Sequence, residues 1–151
     1  MSNSYEGDLI RPLGLVTLHF GYAEYEIDTL LQRLSDAGRI PSTWHSRPIG
    51  QKLAQLTGAL SAKDAEVRSA LAGLLTEVDG LLAQRNMLIH GCLLAGGRIT
   101  SGRSGVEEKR TSVEELNALA EDIFAWKERL SGFRWKQVEP LLAALPGADA
   151  T

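Results

Sequence analysis

The longest segment with a helical apolar period spans residues 64–94 and reads DAEVRSALAGLLTEVDGLLAQRNMLIHGCLL. Apolar residues recur in it at steps of three and four, which is typical of one buried face of a long helix. That face carries Leu71, Leu74, Val78, Leu81, Leu88 and Cys92. The rest of the chain is therefore interpreted around one predicted helix that ends in a short polar stretch.

Arg85 interrupts the apolar face near the end of this helix. Burying an unpaired guanidinium costs on the order of several kcal/mol, so Arg85 needs a partner, a water-filled cleft or a subunit interface. Asn86 and His90 are four residues apart and share one helix face. A purely structural explanation treats Gly91 as a C-terminal cap that follows a basic last turn. That explanation accounts for the basic turn but not for an arginine on the apolar face.

The composition is that of an ordinary globular protein. The chain has 151 residues, of which 44% are hydrophobic and 23% charged, and we expect one domain over residues 1–151. The formal net charge of -3 excludes a global basic field, so any anion site must be local. The single cysteine excludes an intramolecular disulfide and a zinc cluster, and neither a metal nor a cofactor is expected.

Two features of the sequence concern the expected location of the protein in the cell. The N-terminus lacks a basic segment followed by an apolar one, so no signal peptide is expected. No apolar run approaches the ~20 residues that span a bilayer. We therefore expect a cytoplasmic protein without a membrane partner.

The first predicted helix, over residues 12–37, is apolar around an unusually wide arc. One stripe carries Val16, Phe20, Ala23, Ile27, Leu30 and Leu34, and a second carries Leu15, Leu18, Tyr22 and Tyr25. So wide an arc fits two arrangements equally well. Either the helix contacts its own core and a second subunit, or it is the central helix of one bundle.

The remaining segments predict an all-α fold of four to five helices. A shorter helix is expected over residues 49–60, a fourth from about Ser112, and a last one over residues 135–145. Four glycines between residues 95 and 105 end the third helix and suggest either a β-hairpin of 94–100 against 106–111 or a disordered loop. Ser112 and Glu115 fit a capping box. Residues 1–9 and 146–151 are expected to be frayed.

The stretch Arg85-Asn86-x-x-x-His90 resembles the Arg-polar-x-x-x-His signature of the HEPN superfamily, all-α domains found in prokaryotic toxins and other RNases. The order of elements is similar too, with the motif at the end of the third helix and a Gly-rich excursion before the fourth. The resemblance covers most of the chain in architecture and six residues in motif. It implies an HEPN-like up-and-down bundle.

The resemblance further implies a metal-independent endoribonuclease that works as a homodimer, with Arg85 and His90 catalytic and Asn86 supporting them. Such residue types suit the chemistry. Histidine transfers protons near neutral pH, and the planar fork of arginine stabilises a phosphorane. RNA and an antitoxin protein are the expected partners.

Two further arginines are candidates for substrate contacts. Residues 80–106 contain no Asp or Glu but include Arg98 and Arg103, which could hold phosphates despite the negative net charge. By contrast, Trp126 and Trp135 stand at helical spacing and are expected in the core. His19, beside apolar residues, is expected to be a hydrogen-bonded structural histidine.

Three functions fit the sequence. The first is the HEPN-like ribonuclease, acting as a toxin or defence effector. The second is a non-catalytic HEPN-like helical dimer that binds a protein partner or a nucleotide. The third is a helical domain of unrelated ancestry. The presence of both Arg85 and His90 favours the first function.

Overall fold

The computed structural model describes residues 8–90, 92–94, 98–100 and 109–144, and only the backbone path at residues 62, 89–90, 92–94, 98–100 and 109–110. The helices of this part are α1 (Ile10–Asp36), α2 (Ile49–Thr57), α3 (Ala65–His90), α4 (Val113–Phe133) and α5 (Glu139–Ala143). Short 3₁₀ turns lie at Ser42–Ser46 and Ala62–Asp64, and a π-helical turn lies at Arg134–Val138.

Three very short strands follow α3, namely β1 (Cys92–Leu94), β2 (Arg98–Thr100) and β3 (Lys109–Arg110). They pair antiparallel in the order β1-β2-β3. The molecule is thus all-α in class, as the sequence predicts. The predicted hairpin of 94–100 against 106–111 falls partly on residues outside the description, and it stays a prediction, as does the HEPN-like bundle.

The chain divides into two compact units. Unit 1 consists of Met1–Tyr22 and Val78–Ala125, and unit 2 consists of Ala23–Glu77 and Trp126–Thr151. Each of α1, α3 and α4 contributes a segment to both units. The expectation of one domain over residues 1–151 stays a prediction.

Both ends of α1 are capped. The carboxylate of Asp8 accepts a hydrogen bond from the Ile10 N–H at 3.0 Å, so the helix begins two residues before the predicted Pro12. At its other end, Gly38 has φ of 75° and donates to the Ser35 carbonyl, while Arg39 donates to Leu34. These bonds form a Schellman motif, and they confirm the predicted stop at Gly38. Residues 1–7 of the predicted frayed segment and all of 146–151 lie outside the description.

The start of α3 is fixed by a charged cap in unit 2. The Asp64 carboxylate accepts from the Ser61 N–H at 2.9 Å and from the Arg39 guanidinium at 2.8 Å. The Arg39 hydrogen bond holds the pKa of Asp64 below its usual range, although burial acts the other way. Upstream, α2 ends at Thr57, three residues before its predicted end, because Gly58 follows.

The third helix ends earlier than predicted. It stops at His90 and not at residue 94, and Cys92 lies in β1. The prediction that Cys92 continues the apolar helix face is therefore wrong. Its spacing fits the helical period, but the glycine-rich sequence from Gly91 onward favours a change of backbone conformation.

The fourth helix begins where predicted and passes directly into α5. Ser112 Oγ accepts from the Glu115 N–H at 3.1 Å, which makes Ser112 its N-cap. The connection between α4 and α5 is the π-helical turn, in which the Glu139 N–H donates to the Arg134 carbonyl. Pro140 follows at once, and its missing N–H and bulky ring disfavour a regular α-helical turn before it.

Each unit has an apolar core. Unit 1 buries Val16, Phe20, Val78, Leu116, Leu119 and Ile123. Unit 2 buries a larger set that includes Ile27, Leu30, Leu34, Leu56, Leu71, Leu74, Leu130 and Phe133. Trp126 is fully buried, and its indole N–H donates to the Leu74 carbonyl at 2.8 Å, so its predicted core position is confirmed.

Trp135 contradicts its predicted place in the core, since it is 62% exposed. Its ring lies over the buried Arg134 guanidinium, with Cζ 4.6 Å from the ring centroid. In a regular α-helix the nine residues from Trp126 to Trp135 make about two and a half turns, which leads to the opposite face, so the spacing itself does not place both tryptophans in the core.

A chain of ion pairs in unit 2 surrounds Arg134. Arg33 donates to both carboxylate oxygens of Glu139, at 2.8 and 2.9 Å, and Arg134 lies 3.5 Å from Glu139 and 3.7 Å from Glu26. The Arg33 hydrogen bonds hold the pKa of Glu139 below its ordinary value. The carboxylate of Glu139 therefore pairs with the positive charges of one exposed arginine and one buried arginine.

The second apolar stripe of α1 is exposed. Leu15, Leu18, Tyr22 and Tyr25 have exposed fractions of 37%, 48%, 49% and 70%. The prediction of a central helix covered on all sides is therefore wrong, because only the first stripe is buried. The other arrangement, with a second subunit on this stripe, stays a prediction.

Candidate functional site

Arg85 lies in the penultimate turn of α3, half-buried in unit 1. Its Nη1 donates to the side-chain oxygen of the adjacent Asn86 at 2.8 Å. Since a guanidinium only donates and an amide oxygen only accepts, this bond fixes the orientation of the Asn86 amide. The structure thus brings together two of the three predicted catalytic residues, with Asn86 holding Arg85.

The Arg85 guanidinium lies over a buried aromatic ring from α1. Cζ lies 4.6 Å from the centroid of Phe20, which is 2% exposed. This is a cation–π contact, and it supports the guanidinium on the side away from solvent. The sequence predicts Phe20 as a core residue but gives no signal for this contact, because the two residues are distant in the chain.

The positive charge of Arg85 has no carboxylate partner among the residues that the structure describes. Other arginines of the chain do have one, since Arg33, Arg39 and Arg129 each pair with an aspartate or glutamate. Asn86 and Phe20 orient the Arg85 side chain without neutralising it. The remaining guanidinium N–H groups can therefore bind an anion, and their planar arrangement suits a phosphate.

His90 is the last residue of α3, and its side chain lies outside the description. Its position relative to Asn86 follows from the helix, because residues four apart lie on one face about 6 Å apart along the axis. The motif histidine and the amide that holds Arg85 thus share one side of the last turns of α3.

Of the two predicted substrate residues, the structure describes the backbone of Arg98 alone. Arg98 is the first residue of β2, and its register partners are Leu94 in β1 and Arg110 in β3. Arg103 lies outside the described residues. Two further basic residues, Lys109 and Arg110, form β3 and follow directly after Glu107 and Glu108 in the sequence. The register places Arg98 and Arg110 on neighbouring strands.

His19 lies in unit 1 between two aromatic rings. Its ring centroid is 6.3 Å from Tyr22 and 5.3 Å from Phe124, both in edge-to-face geometry. Its Nδ1 is buried and has no hydrogen-bond partner within the described part of the chain. The prediction of a hydrogen-bonded structural histidine names no particular nitrogen and is not supported at Nδ1, where the ring packs against aromatic neighbours.

Two further findings concern the described residues. They contain no group of three or more His, Cys, Asp or Glu side chains that could hold a metal ion. They also contain no helix with both the length and the apolar character required to cross a membrane. In comparisons with known proteins, no family model, curated protein or solved structure matches this chain.

Proposed function

We propose that this chain is an HEPN-like endoribonuclease that acts as a homodimer and needs no metal ion. The observation that carries the proposal is the half-buried Arg85 guanidinium, which Asn86 and Phe20 orient while no described carboxylate neutralises it. An arginine held in this way is suited to bind a phosphate and to stabilise the extra negative charge of a phosphorane.

The proposed reaction uses the RNA's own 2′-hydroxyl as the nucleophile. The 2′-oxygen bonds to the adjacent phosphorus while a base removes its proton, and the bond from phosphorus to the 5′-oxygen breaks as an acid protonates that oxygen. The products are a 2′,3′-cyclic phosphate and a 5′-hydroxyl. In this scheme His90 transfers protons and Arg85 binds the phosphorane oxygens.

A homodimer supplies the second proton-transfer group. One subunit contributes one motif histidine, whereas attack and departure need a base and an acid, so two copies of α3 would bring two His90 side chains and two Arg85 side chains to one cleft. Arg98 and Arg103 would contact the RNA backbone beyond the cleft. The HEPN resemblance extends the proposal to a toxin or defence effector that an antitoxin protein restrains.

The alternative is a non-catalytic HEPN-like dimer that binds a protein partner or a nucleotide. The exposed Trp135 favours it, because a tryptophan that is 62% exposed is typical of recognition surfaces. Under this alternative the Arg85 charge would bind a phosphate group without cleaving it.

The test is cleavage of a mixed RNA pool in EDTA by the purified protein. The wild type is compared with His90→Ala and Arg85→Gln, after each variant has been matched for oligomeric state. Arg68→Gln is the control, since it removes the same charge from an exposed position of α3. We expect cleavage with 2′,3′-cyclic phosphate ends by the wild type and the control, and a loss of at least a hundredfold in both motif variants. Equal cleavage by all four proteins would refute the proposed chemistry.

A further inference from the structure

A groove lies between α3 and the C-terminal part of α4, within unit 2. It has a volume of about 430 Å³, and its floor is apolar. The floor consists of the half-buried Ala70 and Gly132 and the buried Leu74 and Phe133. We call it the α3–α4 groove. Its size and its apolar floor are typical of sites for small molecules.

Gly132 leaves part of the α3–α4 groove open. A Cβ added at this residue would meet no atom within 4 Å, and the residue has no positive φ. A glycine inside a helix destabilises it relative to alanine, and neither packing nor backbone conformation requires a glycine here. The groove therefore keeps room for a ligand beside the helix backbone.

Two of the charged side chains on the rim of the α3–α4 groove are already paired. Arg129 Nη1 donates to both carboxylate oxygens of Glu77, at 2.5 and 2.7 Å. The Glu128 carboxylate accepts a hydrogen bond from the Lys127 ammonium. Arg129 and Glu128 therefore contribute little net charge to the groove.

Lys136 supplies the remaining charge of the rim. It is exposed, and no carboxylate of the described residues pairs with its ammonium. The chain as a whole has a net charge of -3 and repels anions in general, so only a local cation favours binding of an anion. The α3–α4 groove is thus complementary to a molecule with an apolar body and one negative charge.

We propose that the α3–α4 groove binds a small aliphatic monocarboxylate, whose chain lies on Leu74 and Phe133 and whose carboxylate accepts a hydrogen bond from Lys136. A single ammonium matches a single negative charge. A phosphate would favour a free guanidinium, and that of Arg129 is already held by Glu77. The apolar floor also offers no polar side chain to bind a sugar or a base.

The spacing of the rim residues sets the length of the ligand. Arg129 and Lys136 are seven positions apart, which is about 10 Å along a helix. An extended eight-carbon chain has a comparable length, so octanoate is the probe. The inference goes beyond the proposed function and does not depend on it, because the groove belongs to unit 2 whereas Arg85 belongs to unit 1.

The first test is a titration of the isotope-labelled full chain with octanoate, followed by NMR of the backbone amides. We expect saturable shifts at the amides of Leu74 and Gly132, which lie in the floor of the groove. Octyl phosphate is titrated in parallel, and we expect it to bind no tighter than octanoate. The absence of saturable shifts at these amides, or tenfold tighter binding of octyl phosphate, would overturn the inference.

The second test concerns the charge. Lys136→Gln should raise the dissociation constant of octanoate at least threefold and leave that of uncharged octanol unchanged, because only the carboxylate uses the ammonium. Lys63→Gln is the matched control, since Lys63 is exposed and does not line the groove. An equal effect of Lys136→Gln on both ligands, or no effect on either, would contradict the assigned carboxylate contact.

The third test fills the groove. Gly132→Leu should raise the dissociation constants of octanoate and octanol at least tenfold, because its side chain occupies the space of the ligand. Gly73→Leu adds the same side chain at an exposed position of α3 with open space around it, and we expect it to bind both ligands like the wild type. Octanoate binding that Gly132→Leu leaves intact would place the ligand outside the groove and reject the proposed site.

Discussion

The guanidinium of Arg85 lies over the ring of Phe20, with Cζ 4.6 Å from the ring centroid. Phe20 belongs to the core of unit 1 and therefore also supports Arg85. Arg85 has no carboxylate partner among the described residues. Such a contact limits the directions in which the guanidinium can point without reducing its charge. In the proposed function, core packing and anion binding would be coupled at this position.

Phe20→Leu tests that coupling. Leucine keeps an apolar side chain in the core but removes the aromatic face, so we expect RNA affinity to fall about two- to thirtyfold, equivalent to roughly 0.5–2 kcal/mol for a lost cation–π contact. The measurement is RNA binding by His90→Ala protein with and without Phe20→Leu, so that cleavage does not interfere.

Phe133→Leu is the control for this prediction, since Phe133 is similarly buried, in unit 2, and no arginine of the described residues lies over its ring. Both substitutions should lower the free energy of unfolding by a similar amount, about 1–2 kcal/mol. An equal fall in RNA affinity in both variants would mean that Phe20 acts through general stability alone.

Arg39→Ala should lower the free energy of unfolding more at neutral pH than at acidic pH. The Arg39 hydrogen bond holds the pKa of Asp64 below its usual value, so this pair stabilises the fold above the unfolded pKa of about 3.9. The contribution is lost as the pH falls through the lowered pKa of the folded state. At pH 7 we expect Arg39→Ala to lose about 2 kcal/mol of unfolding free energy.

Urea denaturation at a series of pH values between 7 and 2 checks the Arg39 prediction. The gap between the wild type and Arg39→Ala should narrow below about pH 4. Arg47→Ala serves for comparison, because Arg47 is exposed and its side chain bonds only to Gln51, at 3.3 Å, among the described residues. A gap that stays constant down to pH 2 would contradict this account of Asp64.

Glu139→Gln should destabilise unit 2 more than Arg33→Gln does. Glu139 neutralises the buried Arg134, which is 8% exposed and would otherwise keep only the longer contact to Glu26. Arg33 is an exposed member of the same network, with 44% of its side chain accessible. We expect losses of about 2–3 kcal/mol for Glu139→Gln and below about 1 kcal/mol for Arg33→Gln.

Chemical denaturation of Glu139→Gln, Arg33→Gln and the double variant gives the three losses of unfolding free energy. The double variant should resemble Glu139→Gln, because the Arg33 bond is already weakened there. The reverse order of the two single losses would show that the exposed arginine, and not the buried one, depends on Glu139.

Gly38→Ala should lower the free energy of unfolding, whereas Gly50→Ala should leave it unchanged or raise it. Gly38 has φ of 75° at the end of α1, a conformation that costs an alanine about 1–2 kcal/mol. Gly50 lies in the first turn of α2, with open space around its Cβ position, so alanine there should be neutral or stabilising by up to about 1 kcal/mol. Thermal unfolding of the two variants beside the wild type gives the comparison, and a stabilised Gly38→Ala would be inconsistent with the Schellman motif.

The features that the sequence predicts correctly depend on local rules. Gly38 stops a helix and Ser112 starts one because each acts on backbone groups within a few residues. The buried face containing Trp126 follows from an unbroken helical period. The hydrogen bond between Arg85 and Asn86 is likewise local, and the catalytic role of the two residues stays a prediction.

The features that sequence reasoning misses depend on distant residues or on a misjudged helical period. Trp135 comes nine residues after the buried Trp126, where a regular helix presents its opposite face, and it is exposed. Spacing along α3 could not indicate which ring of α1 would support Arg85. The sequence also does not decide what contacts the exposed stripe of α1, because a helix with two apolar faces does not specify what covers the second face.

The ion pair between Arg33 and Glu139 has a consequence for synthesis of the chain. The two residues are 106 positions apart, so α1 emerges from the ribosome long before the carboxylate that binds its arginine. Trp126, Leu130 and Phe133, which complete the core of unit 2, also emerge late. A nascent chain that ends near residue 120 would therefore carry exposed apolar surface and depend on chaperones, and cooperative folding would begin only after translation of α4 and α5.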